Sequence, residues 1–291
     1  MASSTTNAGS RQMTFTEVLR RLIRSQGFLL ALGIAAIMIA MTFISPYFMT
    51  LQNIRSLLIG TTMVGIIAVG MVAVLATGGL DLSVGSSLAL AGVIAGIALG
   101  ADLPVTIAIL LALLAAAAVG LVNGLCISKL DFDPFITTLA TMIMVRGILL
   151  VISGGRAVTE MDPAYNQLGQ GSLLGFQLPV YFFVIIAVIG GFLFRKIRLF
   201  RLTYYVGSNE ESARMSGINV QFVKTFAYVL VGLLAGASGI LMSARMGMAS
   251  VTIAQQTNLQ VLAACVIGGS SLRGGQGTVI GAVLGAFLLQ L

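Results

Sequence analysis

Charged residues are spaced so widely along this chain that they decide what it can fold into. Residues 25–54, 56–80, 82–101, 103–128, 163–194, 225–244, 246–272 and 274–291 contain no Asp, Glu, Lys or Arg, and 134–155 contains only Arg146. A helix needs about 20 apolar residues to cross a bilayer, and most of these intervals are long enough. None shows the period-two alternation of a membrane barrel. With 58% apolar and 9% charged residues, a water-soluble globule is excluded, because its polar groups could not cover so much apolar side chain. The expected fold is all-α: a polytopic membrane bundle. Spans are placed near 28–45, 56–76, 84–100, 105–127, 135–153, 180–195, 225–243, 259–271 and 278–291.

Basic residues orient the bundle, because Lys and Arg accumulate on the cytoplasmic side. With the N-terminus inside, Arg11, Arg20, Arg21, Arg24, Lys129, Arg195, Lys196, Arg198, Arg201, Arg214, Lys224 and Arg273 fall inside. Only Arg55, Arg156 and Arg245 fall outside, and Arg146 lies within a span. Residues 1–27 are then a cytoplasmic segment. Within it Phe15, Val18, Leu19, Leu22 and Ile23 share one helical face, and Thr14 and Glu17 have capping-box spacing. That segment reads either as a helix lying on the inner membrane surface or as a basic flank that fixes topology. The last apolar stretch ends at Leu291 without a basic flank, so a truncation is expected, with nine spans present of ten.

The net charge of +7 comes from these clusters and not from a basic face, so no nucleic-acid partner is expected. The chain has no His, and its two cysteines, Cys126 and Cys265, lie in apolar runs. No catalytic group, metal site or cofactor is therefore expected. Lys129, Lys196 and Lys224 follow Ser, Arg and Val, so there is no Gly-Lys of a P-loop. Any ATP chemistry must come from another chain.

Three features are costly in lipid. In Thr77-Gly78-Gly79-Leu80-Asp81-Leu82-Ser83-Val84-Gly85-Ser86, paired glycines end the second span and a carboxylate follows at membrane depth. The stretch reads as a break lining a solute path or gate, or as a tight turn whose Asp81 caps the next helix; the two are compatible. Arg146 reads as an ion pair or interface anchor, or as a contact to the solute. The Gly-rich run from Ile267 to Gly277 resembles the first break, a weak sign of an internal repeat. The pairs Gly92/Gly96, Gly120/Gly124, Gly232/Gly236 and Gly281/Gly285 have the four-residue spacing of close helix packing.

The most polar stretch runs from about 195 to 224. Ser208 and Glu211 have S-x-x-E spacing and Gly217 suits a left-handed C-terminal cap, so a helix over 209–216 is expected. A short capped helix projecting from a membrane protein suits docking in a partner's groove; the plainer reading is a solvated connecting loop.

Four stretches together carry a family likeness. Thr77 to Gly85, Phe135 to Met142 with Arg146-Gly147, Gly207 to Asn219, and Val266 to Gly275 resemble, in the same order, the permease subunit of bacterial monosaccharide ATP-binding-cassette importers of the ribose/arabinose/xylose/galactose group. The resemblance implies that 28–291 is a transmembrane permease domain in the bacterial inner membrane. It implies three partners: a second permease subunit, the same or different; a cytoplasmic ATPase subunit; and a periplasmic sugar-binding protein. It further implies that Gly207, Ser208, Asn209, Glu210, Glu211, Arg214 and Gly217 form the segment that couples to the ATPase. Thr77, Gly78, Gly79, Asp81, Ser83 and Arg146 are the path or gate candidates. Asn258 or Gln260 stands where the family usually has an acidic residue, which puts an electrostatic role there in doubt. A branched-chain amino-acid permease and an ion-coupled secondary transporter stay open as alternatives.

Overall fold

The computed structural model describes residues 26–159 and 161–291; the segment 14–24 with its Thr14–Glu17 spacing lies outside them. The helices, in chain order, are α1 (Gln26–Ile44), α2 (Leu51–Ala76), α3 (Val84–Gly100), α4 (Val105–Lys129), α5 (Pro134–Ser153), α6 (Pro163–Gln170), α7 (Leu178–Lys196), α8 (Arg198–Ser208), α9 (Glu210–Met215), α10 (Val220–Met246), α11 (Thr257–Ile267) and α12 (Val279–Leu288). Strands β1 (Ser172–Leu173) and β2 (Phe176–Gln177) form a minimal antiparallel hairpin between α6 and α7. Helices α1, α2, α4, α5, α7 and α10 are long and apolar enough to cross a membrane, while α3, α11 and α12 are apolar but shorter. The chain is an all-α, multi-pass membrane protein. Each of the nine expected spans is a helix, but α11 stops at Ile267, four residues before the expected end, because Gly268 and Gly269 turn the chain there.

Burial ranks the helices. From Thr61 to Ala76 every residue of α2 is buried, the pattern of a helix enclosed on all sides. Its Thr61 and Thr62 hydroxyls donate to the carbonyls one turn back, at 2.7 and 2.9 Å, so they need no outside partner. By contrast α5 buries one line, Thr138, Thr141, Val145 and Leu149, at three- and four-residue spacing. Its other side exposes Ile143, Met144, Ile148 and Val151, as suits a lipid-facing helix.

The 27-residue α10 is the spine of the bundle, packed on α2, α3 and α4. The spaced glycines explain how it approaches α4 so closely. A Cβ added at Gly232 would lie 2.6 Å from the Ala116 carbonyl oxygen, and one at Gly124 would lie 2.9 Å from Thr225 Cα. Close approach of this kind gains dispersion where the hydrophobic effect cannot separate helix from lipid. Farther along α10, Ser238 Oγ donates to the Met63 carbonyl of α2 at 2.9 Å.

At the end of α10 that carries Arg245 lies α6, started by Asp162, whose carboxylate accepts from Ala164 N at 2.6 Å. Its buried Tyr165 hydroxyl contacts Ser243 Oγ at 2.7 Å and donates to the Ile240 carbonyl at 3.1 Å. Val158 and Ala249 exchange backbone hydrogen bonds of 2.8 and 2.9 Å beside it.

Candidate functional site

The break after α2 is a paired-bond helix stop. Gly79 N donates to the Val74 carbonyl and Gly78 N to the Leu75 carbonyl, at 3.0 and 2.9 Å, with Gly78 at φ +79°. This is the Schellman pattern, and it requires the left-handed conformation that glycine adopts without penalty. The stop after α11 repeats it: Ser270 N donates to the Cys265 carbonyl and Gly269 N to the Val266 carbonyl, with Gly269 at φ +94°. The two breaks are therefore alike, but Gly78 corresponds to Gly269, so the two Gly-Gly pairs align one residue out of step.

Beyond the first stop the chain is held by side chains. The Tyr228 hydroxyl of α10 accepts from Leu80 N at 3.3 Å and donates to the Leu80 carbonyl at 3.1 Å. Asp81 is 2% exposed, and its Oδ1 accepts from Ser83 N and Ser83 Oγ at 2.7 and 2.6 Å. Ser83 Oγ in turn accepts from Asn123 Nδ2 of α4 at 2.9 Å. Asp81 thus forms a turn onto Ser83, which corrects the expected cap on the first turn of α3: Ser83 itself occupies the cap position and makes no side-chain capping bond. Asn123 is fully buried, yet among the described residues its Oδ1 has no partner. Neither Asn123 nor Tyr228 is marked by any local motif; each sits alone inside an apolar run.

Asp81→Ala should lower both thermal stability in detergent and transport, because it strips the acceptor from two buried donors. Each unsatisfied group costs about 1–3 kcal/mol. Asp81→Asn keeps an acceptor and should lie between the two. Parental melting and parental uptake in Asp81→Ala would show the carboxylate to be dispensable.

The stretch 195–224 is more ordered than the expected loop. α8 occupies its first half, burying Phe200, Thr203 and Val206 at three-residue spacing. Since α8 runs through Ser208, that hydroxyl donates back to the Tyr204 carbonyl at 2.8 Å. The expected capping box therefore fails at Ser208. Asn209, in extended conformation, takes the role, its carboxamide oxygen accepting from Ser212 N at 2.8 Å. The short helix is 210–215, closed by Ile218 N on the Ala213 carbonyl and Gly217 N on the Arg214 carbonyl, with Gly217 at φ +75° as expected.

Glu210 fastens this projection to the spine. Its Oε1 receives Arg214 Nη2 and its Oε2 receives Lys224 Nζ of α10, both at 2.6 Å. Partial burial works against its charge, but the hydrogen bonds and charges of Lys224 and Arg214 prevail and hold the carboxyl below its ordinary range. The pair is intact at neutral pH. Beneath it, Val206, Ala213, Val220 and Val223 form a small apolar core. Facing outward are Glu211, Arg214 and Met215, the last 85% exposed. Met215 is an unforeseen member of this face.

Gly207 connects the projection to both breaks. A Cβ there would fall on the Ala76 carbonyl oxygen and lie 2.8 Å from Gly275 N. Gly275 N donates to that same Ala76 carbonyl at 2.9 Å, and Tyr204 OH donates to the Gly277 carbonyl at 2.9 Å. The end of α2, the end of α8 and the loop after α11 thus meet backbone to backbone.

Arg146 is not part of this junction. It makes no ion pair among the described residues, and its Nη2 donates to the Gln255 carbonyl at 3.2 Å. Among the described residues its contact is thus to the turn before α11. Asn258, in the first turn of α11, is buried, with Nδ2 3.5 Å from Met142 Sδ and Oδ1 without a partner among the described residues. Among the described residues no group of three His, Cys, Asp or Glu could hold a metal.

A family model described as the permease component of the branched-chain amino acid transport system matches residues 53–291. The chain is 37% identical over 250 residues to the ribose import permease protein of Escherichia coli strain K12, covering 84% of this chain and 78% of that one. It is 36% identical over 244 residues to the L-arabinose ABC transporter permease protein of Azospirillum brasilense, covering 84% and 72%. It is 36% identical over 286 residues to the L-arabinose transport system permease protein of Escherichia coli strain K12, covering 98% and 86%. No solved structure matches.

Proposed function

Because the chain belongs to this family of ABC-transporter permease components, we propose that it is the membrane-spanning subunit of an ATP-driven importer that carries a monosaccharide into the cell. It is a multi-pass protein of the inner membrane, and the subunit itself is non-catalytic. The observation that carries the coupling mechanism is the capped α9, fixed to α10 by Glu210 and joined through Gly207 to the end of α2.

The proposed complex has two permease subunits around a central path, an ATPase subunit on each, and a binding protein delivering sugar from outside. Its ATPase grips the face formed by Glu211, Arg214 and Met215. Closure of the two ATPase subunits on ATP pulls α9, and α8 and α9 move as one body on their shared apolar core. That body displaces Ala76 and Gly275 together. The breaks at Thr77-Gly78-Gly79 and Gly268-Gly269-Ser270 supply the bends about which the path changes its open side. Asp81, Ser83 and Asn123 hold the first break in shape during this movement.

The sugar reading rests on the ribose and arabinose relatives, while the family description favours a branched-chain amino acid as a second reading. Uptake of labelled L-arabinose, D-ribose and L-leucine should be compared in cells lacking their own permeases for them but supplied with this chain and its ATPase and binding-protein partners. Uptake of a pentose alone is expected. Leucine uptake alone would select the second reading. Sugar movement in liposomes driven by an ion gradient, with no ATPase, would refute both.

A further inference from the structure

A groove of about 480 Å³ runs along the outer surface between α7 and α12. Ala187, Gly191, Phe192, Val283 and Leu284 make its walls apolar, and Arg195 and Lys196 stand at one end. A smaller hollow of about 90 Å³ adjoins that end, where Arg195 is joined by Tyr204 and Thr278. Among the described residues both ion pairs go to Glu210, so Arg195 and Lys196 have no carboxylate within reach. A groove of hydrocarbon shape that ends in two cations without a carboxylate partner and in the Thr278 hydroxyl matches a molecule with an apolar tail and an anionic head.

We propose that this groove binds one anionic phospholipid of the inner leaflet, its acyl chain along α7 and α12 and its phosphate at Arg195 and Lys196. The excess of basic residues assigns that end to the cytoplasmic side, where the membrane surface is negative and basic pockets between helices take lipid head groups. A second copy of the chain fits less well. An isologous contact sets the same patch against itself, which would bring four cations together.

The test is native mass spectrometry of the purified full chain, titrated with phosphatidylglycerol and with phosphatidylcholine of the same acyl chains. Phosphatidylglycerol should bind at least about fivefold more tightly, the effect of about one basic contact. Arg195→Gln with Lys196→Gln should abolish that preference. Gly191→Leu should weaken both lipids alike, since a Cβ at Gly191 meets nothing within 4 Å among the described residues and the larger side chain is free to fill the groove. Arg198→Gln with Arg201→Gln, on the neighbouring α8, should leave the preference in place. The proposal is overturned by equal affinity for the two lipids, by a preference that survives loss of Arg195 and Lys196, or by an equal loss in the α8 variant. A Val188→Cys protein that forms a disulfide-linked dimer in membranes would also overturn it, giving the face to a second copy.

Discussion

Replacing Glu210 and Glu211 together with lysine is expected to abolish sugar uptake while leaving the protein in the membrane. The two carboxylates act differently. Glu210→Lys sets a third cation between Arg214 and Lys224, which now share its oxygens, and releases α9 from α10. Glu211→Lys inverts the exposed face and puts positive charge in the first helical turn, where the macrodipole favours negative. Losing one good charge pair at an interface costs about 2–5 kcal/mol, or at least about thirtyfold in binding. The single variants separate the roles. Glu210→Lys should make a cysteine placed at the buried Ala213 label faster, while Glu211→Lys should leave that rate unchanged and weaken ATPase association. Near-parental uptake in the double variant would refute the coupling role. Labelling of that same cysteine by an impermeant reagent applied to intact cells would refute the orientation.

Gly207→Val should uncouple the complex. Its Cβ would meet two backbone atoms, the Ala76 carbonyl oxygen and Gly275 N, and backbone cannot swing aside as a side chain can. Forcing extra methyl groups into packed space costs about 1–3 kcal/mol, and separating Gly275 N from Ala76 O forfeits about 1 kcal/mol more. The ends of α2 and α8 must then part. The expected result is ATP hydrolysis that continues in the assembled complex with little or no sugar movement. Gly207→Ala should act in the same direction and more mildly, which covers the case of a valine variant that misfolds. Gly147→Ala, whose Cβ meets nothing within 4 Å among the described residues, should transport normally. Parental transport by Gly207→Val would show that the three-way contact plays no part in coupling.

The membrane helices were legible because a bilayer punishes charge, so the gaps between charged residues outline them directly. α8 was not. Arg198 and Arg201 give its surface the look of a loop, and the spacing of Phe200, Thr203 and Val206 was the available signal. Ser208 and Asn209 are both good cap residues in sequence; only the length of α8 decides between them, by consuming the Ser208 hydroxyl. Asn123 and Tyr228 carried no signal at all, because their partners stand 40 and 148 residues away in the chain. The likeness of the two breaks was visible in their glycines, but its register lies in backbone bonds that no residue letter records. Met215 was passed over because an isolated methionine in a polar stretch has no pattern to belong to.

Helix α10 has one consequence of its own. It runs about 40 Å without interruption, tied near its start to the projection by Lys224, a turn later to the first break by Tyr228, and near its finish to α6 by Ser243. Between those ties it lies against α4 all the way from Gly124 beside Thr225 to Leu113 beside Gly236, a contact along its length and not at one point. A rod clasped over that distance cannot tilt alone, so in the proposed importer α4 and α10 would travel as a single beam.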